Sequence, residues 1–217
     1  MTELKLRPGT TDRDTTFEVK EYDALGIGPG DEVLDIGANI GAFSRRALEQ
    51  GARFVTAVEP HPENYKALKE NLTGFPARAV QAAVVGHNVP GGVELFVGGT
   101  ETTHSTVAYR GRERTITVPA IRFCDLLADV EPTVVKIDIE GAEYDLDYTD
   151  LPNVRAIAVE FHMSRKEWRE ERVPEITEDL AAQGFKMVHS RGFDSRSPRT
   201  CVGVWQTRRY DPSRPNR

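Results

Sequence analysis

The sequence predicts an α/β domain on a mostly parallel sheet, and three observations predict it. Short apolar runs alternate with amphipathic helical stretches over residues 32–85, the order that gives parallel strands joined by right-handed crossovers. A glycine-bearing loop, residues 37–41, separates the first such run from the helix after it. The last two apolar runs, 185–189 and 201–207, are joined by a connection holding Gly192 and Pro198, which reads as an antiparallel pair at the sheet edge.

Residues 1–30 form an N-terminal cap segment. Positions 1–16 are polar and turn-rich, 17–25 form a short helical piece, and Gly26-Ile27-Gly28-Pro29-Gly30-Asp31 is a turn. The main domain occupies 31–207. Its first strand is 32–36, and its first helix, 42–50, sets Phe43, Ala47 and Leu48 on one face and stops at Gly51. A second strand spans 53–58. Pro62 opens a helix over 62–72 with Tyr65, Leu68 and Leu72 along one stripe. A third strand lies within 78–85. Residues 91–118 alternate like β structure, with Val93, Leu95 and Val97 and then Ile116 and Val118 flanking a polar loop, and read as a hairpin. A short helix covers 125–129, a buried strand 133–137 and a further strand 154–159. Helices over 165–172 and 174–183 are separated at Pro174. The total is about seven strands, an ordinary size for a doubly wound sheet, and 208–217 is a flexible tail.

At 217 residues the chain is long enough for one ordinary core, and 39% hydrophobic with 29% charged residues is a soluble globular mix. The net charge of −6 argues against a nucleic-acid partner, which demands a basic face. No apolar run reaches membrane-spanning length and the N-terminus lacks a signal-peptide core, so no membrane partner is expected. Cys124 and Cys201 make neither a disulfide framework nor a metal-ligand pair and read as reduced thiols in the cytoplasm. A homodimer stays open.

The sharpest local signal is Asp35-Ile36-Gly37-Ala38-Asn39-Ile40-Gly41, between a strand and a helix. Gly37 allows a tight turn and Gly41 lets the helix pack close to the strand. The middle glycine of a dinucleotide fingerprint is replaced by Asn39. That glycine normally lets a pyrophosphate approach the backbone, so its loss disfavours NAD and suits a phosphate-free cofactor. S-adenosylmethionine fits, its methionine end held by loop amides and Asp35. Glu59 ends the second strand, 18 positions after Gly41, where an acid binds both ribose hydroxyls. Pro60 fixes the turn beside it.

The second constellation is the strand Val134-Val135-Lys136-Ile137 running into Asp138-Ile139-Glu140-Gly141-Ala142-Glu143. Ligands in open α/β sheets sit at the carboxyl ends of strands, which places Asp138 near the cofactor. Glu160 and His162 follow the next strand and share one face. Glu140 and Glu143 read as charges favouring a helix N-terminus.

These segments resemble the FkbM-type methyltransferases. The resemblance is carried by Leu34-Asp-Ile-Gly-Ala-Asn-Ile-Gly-Ala-Phe-Ser44, Val58-Glu-Pro-His-Pro-Glu-Asn64, Thr117-Val-Pro-Ala-Ile-Arg-Phe-Cys-Asp-Leu-Leu127, Val135-Lys-Ile-Asp-Ile-Glu-Gly-Ala-Glu143 and Val159-Glu-Phe-His162, over positions 10–205. It implies a Rossmann-like, class I methyltransferase fold that uses S-adenosylmethionine, usually to O-methylate a hydroxyl of a natural product or sugar. It implies that Asp35, Gly37, Asn39, Glu59 and Pro60 line the cofactor, a set completed by Ala38, Gly41 and Ala83. Asp138, Glu160 and His162 would face a small-molecule methyl acceptor. Ser105 resembles the family's serine-bearing loop, but His104 stands beside it where a small residue is expected. His104, Ser105 and Tyr22 are the substrate-binding expectations, and the short C-terminal region leaves little room for a lid.

A hydroxyl acceptor must lose its proton. Asp138 or His162 is the expected base, with Glu160 as hydrogen-bonding partner. A second reading has Asp138, Glu160 and His162 hold Mg²⁺ or a similar hard cation. N-methylation, an NAD-linked oxidoreductase and a non-catalytic binding domain are the remaining alternatives.

Overall fold

The computed structural model describes residues 3–97, 105–106, 114–162, 168–193 and 200–207. Seven strands make the main sheet: β1 (Glu32–Ile36), β2 (Phe54–Val58), β3 (Ala77–Val80), β8 (Val134–Ile137), β9 (Ala156–His162), β10 (Phe185–Arg191) and β11 (Thr200–Thr207). Their spatial order is β10-β11-β9-β8-β1-β2-β3. All neighbours run parallel except β11, which is antiparallel to both β9 and β10. The edge pair expected at the C-terminus is therefore present, with β10 outermost.

The helices cover both faces. One face packs Leu34, Val135, Ile137, Ile157 and Val159 against α4 (Phe123–Val130) and α5 (Val173–Ala182) through Phe123, Leu126, Ile176 and Leu180. The other packs Val33, Val55, Val134 and Ala158 against α2 (Ala42–Glu49) and α3 (Pro62–Leu72), with Tyr22 and Leu25 closing it. Burial on both faces is what turns these strands into apolar runs. At the N-terminal end of the sheet, buried Asp31 pairs with Arg155 and accepts from Thr133 Oγ1 at 2.8 Å and Gly28 N at 2.8 Å. Arg155 also donates to the Gly26 carbonyl at 2.9 Å, fastening the cap segment to the sheet.

Four expectations change. The helix expected over 17–25 starts earlier, as α1 (Asp12–Glu18), and continues as a 3₁₀ turn, Val19–Leu25; Asp12 and Asp14 in the first turn suit a helix N-terminus. The third strand splits into β3 and β4 (Ala83–Val85), and β4 pairs with β7 (Ala120–Arg122) outside the main sheet. A single strand at the sheet edge would leave Ala83–Val85 open on one side. Leaving the sheet buries all three, with Ala83 under Leu95 and Val118 of the β5 (Val93–Phe96) and β6 (Thr115–Val118) hairpin. Glu160 and His162 lie inside β9 rather than after it. Pro174 does not separate two helices: a π-helical turn, Trp168–Arg172, runs into α5, whose first turn accommodates the proline because the missing N–H has no partner there.

Candidate active site

The parallel registers bring the chemistry to one level. Ile36 pairs with Val58 and with Ile137, and Ile137 pairs with Val159. The residues that come next, Gly37 after β1, Glu59 after β2, Asp138 after β8 and Glu160 within β9, therefore form a row toward the carboxyl end of the sheet. The chain order reverses between β1 and β8, the switch point where open α/β sheets bind ligands. A cavity of about 470 Å³ opens over this row.

The loop after β1 is held from both sides. Gly37 N and Ala38 N both donate to the Val58 carbonyl at 3.0 Å. Gly37 takes φ +77°, and a Cβ there would lie 1.7 Å from the Asp138 carbonyl oxygen. The glycine thus serves the contact with the end of β8 as well as the turn. Gly37→Ala is expected to cost about 2–5 kcal/mol in denaturant unfolding, the left-handed backbone and the clash together. Gly41, at φ +88°, corrects the expected role: a Cβ would meet Leu68 Cδ1 of α3 at 2.8 Å, so this glycine spaces two helices rather than helix and strand. Asn39 takes φ 51°, a left-handed turn that asparagine tolerates, and its Oδ1 is buried without a hydrogen-bond partner among the described residues.

Glu59 is only 5% exposed. It accepts from Asn39 N and His61 N at 2.9 Å and from Asn64 Nδ2 at 3.4 Å. Burial outweighs these bonds and pushes its carboxyl up to about 7. Pro60 and Ala83 line the cavity beside it.

Asp35 and Ala38 stand elsewhere than expected. Asp35 lies beneath the loop, fully buried, accepting from Ser44 Oγ at 2.6 Å. Its register partner across the strands is Lys136, whose Nζ is 3.4 Å from Asp35 Oδ1, 3.4 Å from Asp138 Oδ2 and 2.8 Å from the Gly37 carbonyl. Burial opposes the charge on Lys136, but Asp138, Asp35 and Glu160 outweigh it and hold the amine protonated. Ala38 packs into the core on the same side of the sheet. Lys136 was missed by sequence reasoning; a lone lysine in an apolar strand was its signal.

Asp138, Glu140, Glu160 and His162 line the same cavity with Thr15, Glu18, Glu21, Arg191 and Thr200. Asp138, Glu160 and His162 are brought together as expected, but their partners differ. Glu160 Oε2 accepts from the Tyr22 hydroxyl at 2.9 Å, and Oε1 lies 3.6 Å from Arg191. Burial first, then the like charge of Asp138, pushes Glu160 up to about 7. Tyr22, buried on edge against Phe43, does not line the cavity; it positions Glu160.

His162 pairs with Glu143, not Glu160. Glu143 is fully buried and keeps its expected place at a helix N-terminus, in the first turn of the 3₁₀ turn Ala142–Asp145 whose N-cap is Gly141, while also serving His162. Its Oε1 accepts from His162 N at 2.6 Å and lies 3.2 Å from His162 Nδ1, while Oε2 accepts from Gly141 N at 2.7 Å. His162 Nε2 is 3.6 Å from Glu140 Oε1 and 3.9 Å from Asp138 Oδ1. Burial opposes protonation, but the three carboxylates outweigh it and push the imidazole from 6.5 up to about 10. The stability this charge contributes is full below about 6.5 and is lost as the pH rises through about 10. At neutral pH the ring is an imidazolium, which is a hydrogen-bond donor and not a base.

Lys136 already supplies a cation beside Asp138, and no group of three or more His, Cys, Asp or Glu side chains among the described residues is arranged to hold a metal. Ser105 is buried and donates to the Glu140 carbonyl at 2.5 Å, shaping the loop behind the cavity, while Thr106 reaches the wall. His104 lies outside the described residues. No helix among the described residues is long and apolar enough to cross a membrane.

No curated protein matches the chain. Among solved structures, magnesium protoporphyrin IX methyltransferase from Synechocystis PCC 6803 with bound SAM superposes with a TM-score of 0.50 at 12% identity, over 94% of this chain and 86% of that one. The ribosomal protein L11 methylase from Lactobacillus delbrueckii subsp. bulgaricus gives 0.50 at 14% identity, over 94% and 89%. At these identities the likeness shows the fold, a Rossmann-like class I methyltransferase architecture. The family model for the methyltransferase FkbM domain matches residues 35–187, from the carboxylate under the glycine loop to the first half of β10. With that match over most of its length, the chain belongs to the FkbM methyltransferase family.

Proposed function

We propose that the chain uses S-adenosylmethionine to methylate a hydroxyl of a small molecule, a natural product or a sugar, in the cytoplasm. Glu59 carries the reading. It is a buried carboxylate on the cavity wall whose charge is opposed by burial and which lies next to the unpartnered Asn39 Oδ1. Such a wall suits a ligand that offers two vicinal hydroxyls and an amine. It does not suit a pyrophosphate, and the cations on the cavity wall among the described residues, His162 and Arg191, belong to β9 and β10 instead. The volume also lies in the range of cofactor sites.

When bound, S-adenosylmethionine supplies a methyl group activated by a sulfonium. Glu59 accepts from the ribose hydroxyls, and the 37–41 loop with Asn39 holds the methionine end. Asp138, in the same row and facing the cavity, takes the proton of the acceptor hydroxyl. His162, as an imidazolium, is excluded from that role at neutral pH. Holding acceptor and donor in one cavity is worth at most about 7–11 kcal/mol of the barrier. The carboxylates Glu18, Glu21 and Glu140 on the cavity wall repel polyphosphates, in line with a small acceptor rather than a nucleic acid.

Calorimetry with S-adenosylmethionine and with NADH tests the cofactor, and S-adenosylhomocysteine release across a panel of hydroxylated small molecules tests the reaction. Binding of NADH without binding of S-adenosylmethionine would overturn the proposal.

A further inference from the structure

The geometry points to Glu143 as a positioning residue that fixes the His162 ring with Nε2–H presented to the cavity, so that His162 donates a hydrogen bond to an acceptor oxygen. This rests on the methyltransferase reading for its purpose, but not for its geometry.

Glu143 has no solvent exposure and spends both oxygens on two elements. Oε2 takes Gly141 N and Oε1 takes His162 N, which ties the turn after β8 to the end of β9. The turn needs such a tie. Glu140 sits at φ 57° and Gly141 at φ 103°, two left-handed residues in succession. A left-handed glutamate is uncommon and persists only where its surroundings hold it. Ser105 holds one side through the Glu140 carbonyl, and Glu143 holds the other through Gly141.

The same oxygen that takes His162 N is 3.2 Å from Nδ1. A carboxylate there selects the ring form with a proton on Nδ1 and fixes the ring's rotation. Nε2 is left on the cavity side, between Glu140 and Asp138 at 3.6 and 3.9 Å, longer than a normal hydrogen bond to either. The groups that face the ring are Glu143, Glu140 and Asp138 from the turn after β8, and Glu160 from its own strand. Tyr144 donates to the His162 carbonyl at 3.4 Å, and Thr200 of β11 is its register partner. Lys136 and Arg191 stand one carboxylate further away, paired with Asp138 and Glu160, and the three carboxylates nearest the ring favour its doubly protonated form. A ligand oxygen at Nε2 would complete its hydrogen bonding; a protonated amine would not.

The test is a titration of the His162 ring by NMR in the cofactor-free protein, compared with Glu143→Gln and Glu140→Gln. In the parent protein the ring stays protonated well above the ordinary histidine range. In Glu143→Gln, which keeps the shape and removes the charge, the midpoint falls by about 1–3 pH units. Glu140→Gln, on the Nε2 side of the ring, lowers the midpoint while the Nδ1–H resonance persists. Calorimetric affinity for S-adenosylmethionine is unchanged in Glu143→Gln. A parent midpoint near 6.5, or a Glu143→Gln midpoint equal to the parent's, overturns the inference. If the parent fails to bind S-adenosylmethionine but the titrations behave as stated, the cofactor reading fails and the role of Glu143 stands.

Discussion

Replacing Asp138 with alanine lowers methyl transfer by about 10²–10⁴-fold, the range of a single proton-transfer group, and leaves S-adenosylmethionine binding nearly intact. The division follows from what each part of Asp138 touches. Its carbonyl meets the glycine loop, and Asp138 N donates to the Ile36 carbonyl at 3.0 Å. Those backbone contacts survive truncation. Only the side chain faces the cavity. The two cations beside it keep other partners, Lys136 in Asp35 and His162 in Glu143 and Glu140, so the charge lost is not left uncompensated. Asp138→Asn separates shape from proton transfer and is expected to be as inactive as the alanine variant. Single-turnover rates with calorimetry on the same samples check this, and an equal loss of binding and rate would show that Asp138 builds the cofactor site instead.

Glu59→Gln weakens S-adenosylmethionine by about 10–150-fold, the equivalent of one charge-assisted hydrogen bond at about 1.5–3 kcal/mol, and the loss grows with pH. The sign comes from burial. In the free protein the carboxyl ionises only around 7, against 4.5 for an ordinary glutamate. A raised carboxyl contributes stability that is full below about 4.5 and is lost as the pH rises through about 7. Hydroxyl donors stabilise the ionised form and reverse that loss. The rise in thermal midpoint on adding S-adenosylmethionine is therefore larger at about pH 8 than at about pH 6, and binding near neutrality releases a proton. In Glu59→Gln the difference between the two pH values disappears. A pH-independent cofactor shift in the parent protein would remove Glu59 from the ribose.

Periodicity and punctuation were enough for the elements that build the cradle. The helix expected over 62–72 is α3 to the residue, and the strand expected over 32–36 is β1. Both have local causes: a proline at the helix start, and an apolar run closed by glycine. What escaped has its cause far away in the chain. Lys136 is explained by Gly37, 99 residues earlier, and Tyr22 by Glu160, 138 residues later. Glu143 reads as an ordinary acid near a turn until β9 brings His162 against it. The intrinsic pKa of histidine suggested a base, and three carboxylates make it an acid instead. Buried polar groups take their meaning from partners, and partners are what spacing along one chain does not report. The split of β3 from β4 has the same origin, since it depends on cover supplied by the β5–β6 hairpin.

The level row of Gly37, Glu59, Asp138 and Glu160 makes strand length a measuring stick for this chemistry. A strand climbs about 3.3 Å per residue and turns its side chains over at each step. One residue added within β8 would lift Asp138 out of reach of its neighbours and swing its carboxylate through the sheet. The placement of this chemistry is thus set by strand register, at four positions of the backbone that must stay level.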